Sequence, residues 1–169
     1  MTDTNFLTPI EKLGDYYFKR DDYLILGTAN GGKIRGCLRL SKNATGLVTA
    51  SGRESNQAYV IIQIAKKLNI QCHIHTPTGE LSEKLKNEII NENIKIIQHK
   101  MGFANVLKKR AKEDAEINGF KYIPWGLECL ETIEETKKQI DNIPWKKIQR
   151  IIVPVGSGMT LIGILTGMQ

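Results

Sequence analysis

Short apolar runs alternate with amphipathic stretches along most of this chain. The apolar or β-branched runs predict strands, and they lie at 16–20, 45–50, 71–76, 94–99 and 121–125. Stretches with apolar residues three and four positions apart predict helices, and they lie at 55–69, 77–93, 103–120 and 127–140. This β-α-β-α order predicts a parallel sheet with helices on its faces, a three-layer αβα fold of the α/β class.

The last part of the chain continues the alternation. The run 149–155 (QRIIVPV) predicts one more strand, of the fully buried type, and the glycine-rich segment after it predicts a loop that opens an apolar helix. In parallel α/β sheets, ligands bind beyond the carboxyl ends of the strands. The loops that follow residues 50, 76 and 155 are therefore the places where we expect a functional site.

Composition narrows the class of protein. The chain has 169 residues, 41% of them hydrophobic, which is enough for one core of ordinary size or one domain with part of another. No apolar run approaches the roughly 18 residues of a membrane helix, and the N-terminus lacks the apolar region of a secretory signal. Three scattered cysteines do not make a disulfide framework and suit a reducing compartment, so we expect a cytoplasmic protein with no membrane partner.

The formal net charge of +6 bears on partners rather than on the fold. It is compatible with a phosphate-bearing cofactor, an anionic substrate or nucleic acid. Nucleic acid is not favoured, because no basic run is interleaved with aromatic residues in the way that single-strand binding requires.

The segment Asn30-Gly31-Gly32-Lys33 is the first candidate for chemistry. Two glycines allow the backbone to approach a ligand closely, and a lysine directly after them can reach that ligand with its amine. A nucleophilic lysine must lose its proton, which the nearby cation Arg35 would favour. A basic surface turn is the alternative interpretation of this segment taken alone.

Two further segments resemble anion sites. Ser55 or Asn56 can cap the helix after residue 55, where free N–H groups favour a carboxylate, although ordinary capping explains the same residues. The segment 155–160 is a glycine loop before a helix, which can hold a phosphate. It is not the dinucleotide fingerprint, because Gly163 comes one residue too late, and it lacks the Gly-Lys-Ser/Thr of a Walker loop.

Together these segments describe an amine, a carboxylate-type site and a phosphate-type site, in that order. The motifs TPIEKL, YYFKRDDY, NGGKIR, SGRESNQA and VPVGSGMTLIG resemble those of the fold-type-II pyridoxal-phosphate (PLP) enzymes, the tryptophan synthase β-like group. The resemblance is strongest to the branch of aminocyclopropane-carboxylate deaminase and D-cysteine desulfhydrase. In that branch an asparagine stands directly before the lysine, whereas here Lys33 follows Gly32.

The resemblance implies a role for each matching residue. Lys33 would form the internal aldimine with PLP, and Asn56 would hydrogen-bond the 3′-oxygen of the cofactor. Ser55 would contact the substrate carboxylate or help to move a proton, and Gln57 would line the same pocket. The 5′-phosphate would be bound by the glycine loop, which consists of Gly156, Ser157, Gly158, Met159 and Thr160.

The resemblance also implies a domain layout. Residues 1–44 would form the first part of the large PLP domain, 45–145 the small αβα domain, and 146–169 the start of the second part of the large domain. The C-terminal part of that large domain, which supplies the group facing the pyridine nitrogen, is missing from this sequence. A homodimer, or completion by another chain, is the expected assembly.

The function implied is that of a PLP-dependent lyase or deaminase acting on a small amino acid in amino acid metabolism. One alternative is a non-catalytic or split PLP-fold protein for binding or assembly. Another is a PLP enzyme acting on an amino-acid-modified nucleotide or DNA base. His73, His75 and His99 are a conceivable metal site, but alternate strand positions of this kind are more often pocket walls or partly buried residues, so no metal is expected.

Overall fold

The computed structural model describes residues 6–100 and 103–168. The strands, in chain order, are β1 Ile10–Leu13, β2 Tyr16–Lys19, β3 Ile25–Leu26, β4 Ala29–Asn30, β5 Gly46–Ala50, β6 Gln71–Pro77, β7 Ile94–His99 and β8 Lys121–Ile123. The α-helices are α1 Lys33–Leu40, α2 Asn56–Leu68, α3 Glu83–Glu88, α4 Ala104–Asn118, α5 Leu130–Lys138 and α6 Met159–Gly167. Short 3-10 helices span Asp21–Tyr23, Trp125–Leu127 and Trp145–Lys147. No helix in these described ranges is long and apolar enough to cross a bilayer.

A four-stranded parallel sheet in the order β7-β6-β5-β8 is the centre of the molecule. Two antiparallel hairpins, β1-β2 and β3-β4, precede it in the chain. Helices α1, α2 and α3 cover one face of the sheet, and α4 covers the other. The predicted three-layer αβα architecture is therefore confirmed.

The central strand β5 explains why the sequence folds into layers. All five of its residues are buried, because α2 lies over one face of the strand and α4 over the other. The α2 side holds the larger apolar cluster, which includes Ile61, Ile64 and Ile74. The α4 side holds a smaller one, with Val48 against Leu107 and its neighbours. A strand that is covered on both faces has no solvent-facing side, and this accounts for the absence of charged residues at 45–50.

The order of the strands decides where loops meet. The connections from β5 to β6 and from β6 to β7 pass through α2 and α3 on one face, whereas the return from β7 to β8 passes through α4 on the other. Right-handed crossovers require this change of face when the direction of travel reverses. The loops that follow β5 and β8 are thereby neighbours at the carboxyl edge of the sheet, where such folds bind ligands.

Two predictions made from the pattern are corrected. The segment 149–155 is not a strand, and Ile152 in its middle is 79% exposed. A strand needs hydrogen-bonding neighbours, and the described residues place none beside this segment. The helix predicted over 77–93 shrinks to α3, Glu83–Glu88.

The domain layout stays a prediction. Its outer ends, residues 1–5 and 169, lie outside the described residues.

Candidate functional site

Lys33 is the first residue of α1. Strand β4 ends at Asn30, and the chain reverses through Gly31, whose φ of +106° is a conformation that glycine adopts without strain. The Lys33 side chain is exposed, and it has no hydrogen bond or ion pair within the described part of the chain. The turn thus presents a free amine at the start of a helix.

The carboxylate of Asp21 packs against this turn. A Cβ atom on Gly32 would lie 2.6 Å from Asp21 Oδ2, so only glycine fits over that carboxylate. The other carboxylate oxygen, Asp21 Oδ1, accepts a hydrogen bond from Thr8 Oγ1 at 2.7 Å and pairs with Arg35 at 3.2 Å. The position of Lys33 therefore depends on side chains from the N-terminal segment and from α1 itself.

The predicted carboxylate site lies at the start of α2. Ser55 is the N-cap, and its Oγ accepts a hydrogen bond from the backbone N–H of Ala58 at 3.4 Å. The Asn56 side chain is exposed, and its amide has no hydrogen-bond partner among the described residues. Both residues line a cleft of about 320 Å³, which Tyr59 and Lys84 also border. The Ser55 cap is formed as the sequence predicted, and the role of Asn56 stays a prediction.

Gln57 is placed differently from its neighbours. It is 3% exposed, and its amide bonds to the backbone of the turn that follows β8. Nε2 donates to the carbonyl of Pro124 at 2.7 Å, and Oε1 accepts from the N–H of Gly126 at 2.9 Å. The Gln57 side chain thus joins the loop after β5 to the loop after β8.

The predicted phosphate loop opens α6. Gly158 is the N-cap, with a φ of +84° and no side-chain cap, so the first backbone N–H groups of the helix have no acceptor within it. Space is open around Gly156 and Gly158 where a Cβ atom would stand. Outward N–H groups and room for close approach suit a phosphate, so this part of the chain fits the phosphate end of PLP.

The phosphate loop meets the same turn that Gln57 holds. Ser157 Oγ donates to the carbonyl of Gly126 at 2.8 Å. Helix α6 runs parallel to α5, because Gly163 lies against Thr136 and Gly167 lies against Ile140. Since α5 begins just after the turn, the start of α6 lies at the same carboxyl edge of the sheet as the start of α2.

Helix α1 reaches this turn as well. A Cβ atom on Gly36 would lie 3.6 Å from Leu127 and 2.7 Å from Thr132 Oγ1, so the helix that carries Lys33 packs closely on the turn and on α5. Helix α1, the first turn of α2 and the glycine loop therefore all contact the turn that contains Trp125–Leu127. Sequence reasoning missed Gly126, although the Pro-Trp-Gly sequence after a strand is a turn signal.

The histidines form a separate cluster on the α4 face of the sheet. Asp114 Oδ2 lies 2.7 Å from His73 Nδ1 and 2.9 Å from His75 Nε2, while His75 Nδ1 lies 2.8 Å from His99 Nε2. Arg110 NH1 donates to His99 Nδ1 at 2.7 Å. Within the described ranges, no group of three or more His, Cys, Asp or Glu residues has the arrangement of a metal site. Asp114 and Arg110, which the sequence argument missed, make this a hydrogen-bonded network.

Two comparisons with known sequences give no match. No protein-family model matches the chain. No curated protein is significantly similar to it.

Solved structures, in contrast, match along most of the chain. An ACC deaminase homologue is 30% identical, with a TM-score of 0.77, over 96% of this chain and 56% of its own. Threonine deaminase isoform 2 from Solanum lycopersicum is 23% identical, with a TM-score of 0.66, over 89% of this chain and 42% of its own. Maize serine racemase is 23% identical, with a TM-score of 0.68, over 90% of this chain and 47% of its own. The chain spans about half the length of these proteins.

Proposed function

The chain has the fold of the fold-type-II, tryptophan synthase β-like PLP enzymes, and we propose that it is itself a PLP-dependent lyase or deaminase acting on a small amino acid. The observation that carries the proposal is the convergence of three segments on one turn. Helix α1, which begins at Lys33, contacts this turn, as do Gln57 in the first turn of α2 and the glycine loop of α6. These contacts support a site in which an amine, a carboxylate site and a phosphate site share one edge of the sheet.

PLP, when bound, supplies an aldehyde for amines and an electron sink for negative charge at the substrate α-carbon. The protein has to bind, orient and exchange protons around it. The N–H groups at the start of α6 would hold the phosphate end, with Ser157 and Thr160 as hydroxyl neighbours. Lys33 would hold the other end through its ε-amine and would move the proton at the substrate α-carbon.

The residues at the start of α2 would contact the substrate and the cofactor ring. Asn56 has a free amide that donates to an oxygen of the bound cofactor. Ser55 keeps its hydroxyl oxygen on the N–H of Ala58, which leaves the hydroxyl hydrogen for a substrate carboxylate. The cleft of about 320 Å³ beside these two residues has room for a small amino acid.

The test of this proposal is covalent trapping of PLP. The protein mixed with PLP should gain a visible absorbance band, and borohydride should fix one PLP on Lys33, located by peptide mass measurement. Lys33→Ala should lose the trapped adduct almost completely, because Lys33 is the amine that the proposal assigns to the cofactor. Lys42→Ala, in the exposed turn that ends α1, is the matched control and should keep the adduct.

Two results would contradict the proposal in different ways. A protein that gains no band and traps no PLP contradicts cofactor binding. A protein that traps PLP on Lys33 but releases neither ammonia nor an oxo acid from any small amino acid contradicts the catalytic part and supports a binding role.

A further inference from the structure

We propose that Gln57 is a positioning residue that holds the glycine loop of α6 in its phosphate-binding conformation, acting through the turn Pro124–Leu127. This inference rests on the proposed function, since it concerns the phosphate end of the same site. It assigns Gln57 a task that differs from substrate contact.

The first support is the geometry of the amide. Gln57 reaches Pro124 O with its donor and the N–H of Gly126 with its acceptor, at 2.7 and 2.9 Å. Gln57 is only 3% exposed. A buried amide whose two ends are both bonded to one stretch of backbone fixes that stretch in place.

The second support is the conformation of the turn. Gly126 has a φ of +74° and Leu127 a φ of +56°, so two successive residues are left-handed. A bulky residue in this region costs about 1–2 kcal/mol and persists only where the surroundings hold it. Leu127 is held by burial of its side chain, 1% exposed, and the N–H of the preceding residue, Gly126, is held by Gln57.

The third support is the contact between the turn and the glycine loop. Ser157 Oγ donates to Gly126 O, and a Cβ atom on Gly126 would lie 2.9 Å from Ser157 Cβ. The loop therefore rests directly on Gly126, the residue whose N–H Gln57 holds. A shift of the turn moves Ser157, and with it the N–H groups that begin α6.

Loss of Gln57 should therefore weaken the binding of a ligand that carries a phosphate more than the binding of a ligand that does not. If Gln57 contacted the substrate or the ring of the cofactor, its loss would weaken PLP and pyridoxal alike. If it positions the phosphate loop, its loss weakens PLP and leaves pyridoxal, which has no phosphate, unchanged.

The experiment compares Gln57→Leu with a matched control, Gln139→Leu. Gln139 is 4% exposed and also bonds with both amide ends to backbone, at Thr8 N and Phe6 O and not at the turn that contacts the glycine loop. PLP and pyridoxal affinities are measured by titration of the visible band for the wild type and both variants. We expect Gln57→Leu to weaken PLP about tenfold, as the loss of two ordinary hydrogen bonds would, and pyridoxal less than twofold. Gln139→Leu should leave the ratio of the two affinities unchanged.

Two further variants keep the test decisive if Gln57→Leu folds poorly. Gln57→Glu keeps the acceptor for Gly126 but places a buried carboxylate oxygen against the carbonyl of Pro124, so it should give at least as large a loss of the same selectivity. Ser157→Ala removes the bond between loop and turn at an exposed position, and should also weaken PLP more than pyridoxal. Equal weakening of both ligands, or none, in these variants overturns the inference.

Amide hydrogen exchange without any ligand separates this inference from the proposed function. Gln57→Leu should speed exchange in 124–127 and 156–161 while leaving β6 and β7 unchanged. If the wild type binds no PLP but these segments respond in this way, the proposed function fails and the positioning of the loop stands. Unchanged exchange in both segments overturns the positioning role.

Discussion

Arg35 shows how the position of Lys33 is fixed by individual side chains. The guanidinium is 3% exposed and forms an ion pair with Asp21 at 3.2 Å. The same carboxylate accepts a hydrogen bond from Thr8 and packs against Gly32. The buried Nε of Arg35 has no hydrogen-bond partner among the described residues. Asp21 is therefore the group that compensates a buried charge and supports the glycine turn at the same time.

Asp21→Asn should consequently destabilise the protein. Asparagine keeps an acceptor for Thr8 but leaves the Arg35 charge buried without its counter-ion. We expect a loss of about 1–2 kcal/mol in the free energy of unfolding, less than for a fully buried pair, because the Asp21 side chain is 39% exposed and water screens it. Urea unfolding measures this, and Asp15→Asn, at an exposed turn position, is the control. A loss no larger than that of the control would contradict the role of Asp21.

The histidine network joins α4 to the sheet. Arg110 donates to His99 Nδ1, so His99 carries its proton on Nε2 and donates to His75, which in turn donates to Asp114. Every bond in this chain is satisfied when His75 and His99 are neutral. Burial, with smaller effects from His75 and Arg110, lowers the pKa of His99 below 6.5.

The docking of α4 should therefore weaken as the pH falls. A histidine whose pKa is lowered in the folded protein binds fewer protons there than in the unfolded chain. Its contribution to the free energy of unfolding is present above pH 6.5 and is lost as the pH falls below it. Urea unfolding between about pH 8 and 5 should show this decline.

His99→Gln, which does not titrate, should show a flatter dependence over the same range. The pKa of Asp114 is also lowered, by its hydrogen bonds to His75 and His73 against an opposing effect of burial, but its contribution is lost only at more acidic pH. An equally steep decline in His99→Gln would exclude His99 as its source.

The whole molecule exposes an apolar surface at its C-terminal part. Helix α6 is apolar on all sides, yet of its residues only Gly163 is buried within the described structure. The exposed side chains of this surface are Ile151, Ile152, Val155, Ile162, Leu165 and Met168. Contiguous apolar surface of this kind is normally covered by other protein.

We expect the chain to associate through this surface. Sedimentation of the purified protein should give a mass above 19.0 kDa that rises with concentration. The double variant Ile152→Ser/Leu165→Ser should shift it towards the monomer, since these side chains are 79% and 53% exposed. Ile117→Ser, 82% exposed on α4, is the control and should change nothing. A wild-type monomer at every concentration would contradict the expectation.

The sequence by itself determined the elements whose signals are local. The apolar run of β5, the Ser55 cap of α2 and the glycine before α6 each predict their own structure within a few residues, because hydrophobic periodicity and capping act over one or two turns. The alternation of these elements then determined the αβα layers. Lys33, Ser55, Asn56 and the glycine loop were nominated in the same way.

Only the tertiary structure decided how these parts meet. The role of Gln57 and the convergence on Gly126 depend on hydrogen bonds between residues 69 and 31 positions apart, which no local pattern encodes. The segment 149–155 has the composition of a strand and is not one, because a strand exists only with neighbours to accept its hydrogen bonds. Local patterns nominated the segments of the proposed cofactor site, and packing over long sequence distances decided how their helices and loops meet around one turn.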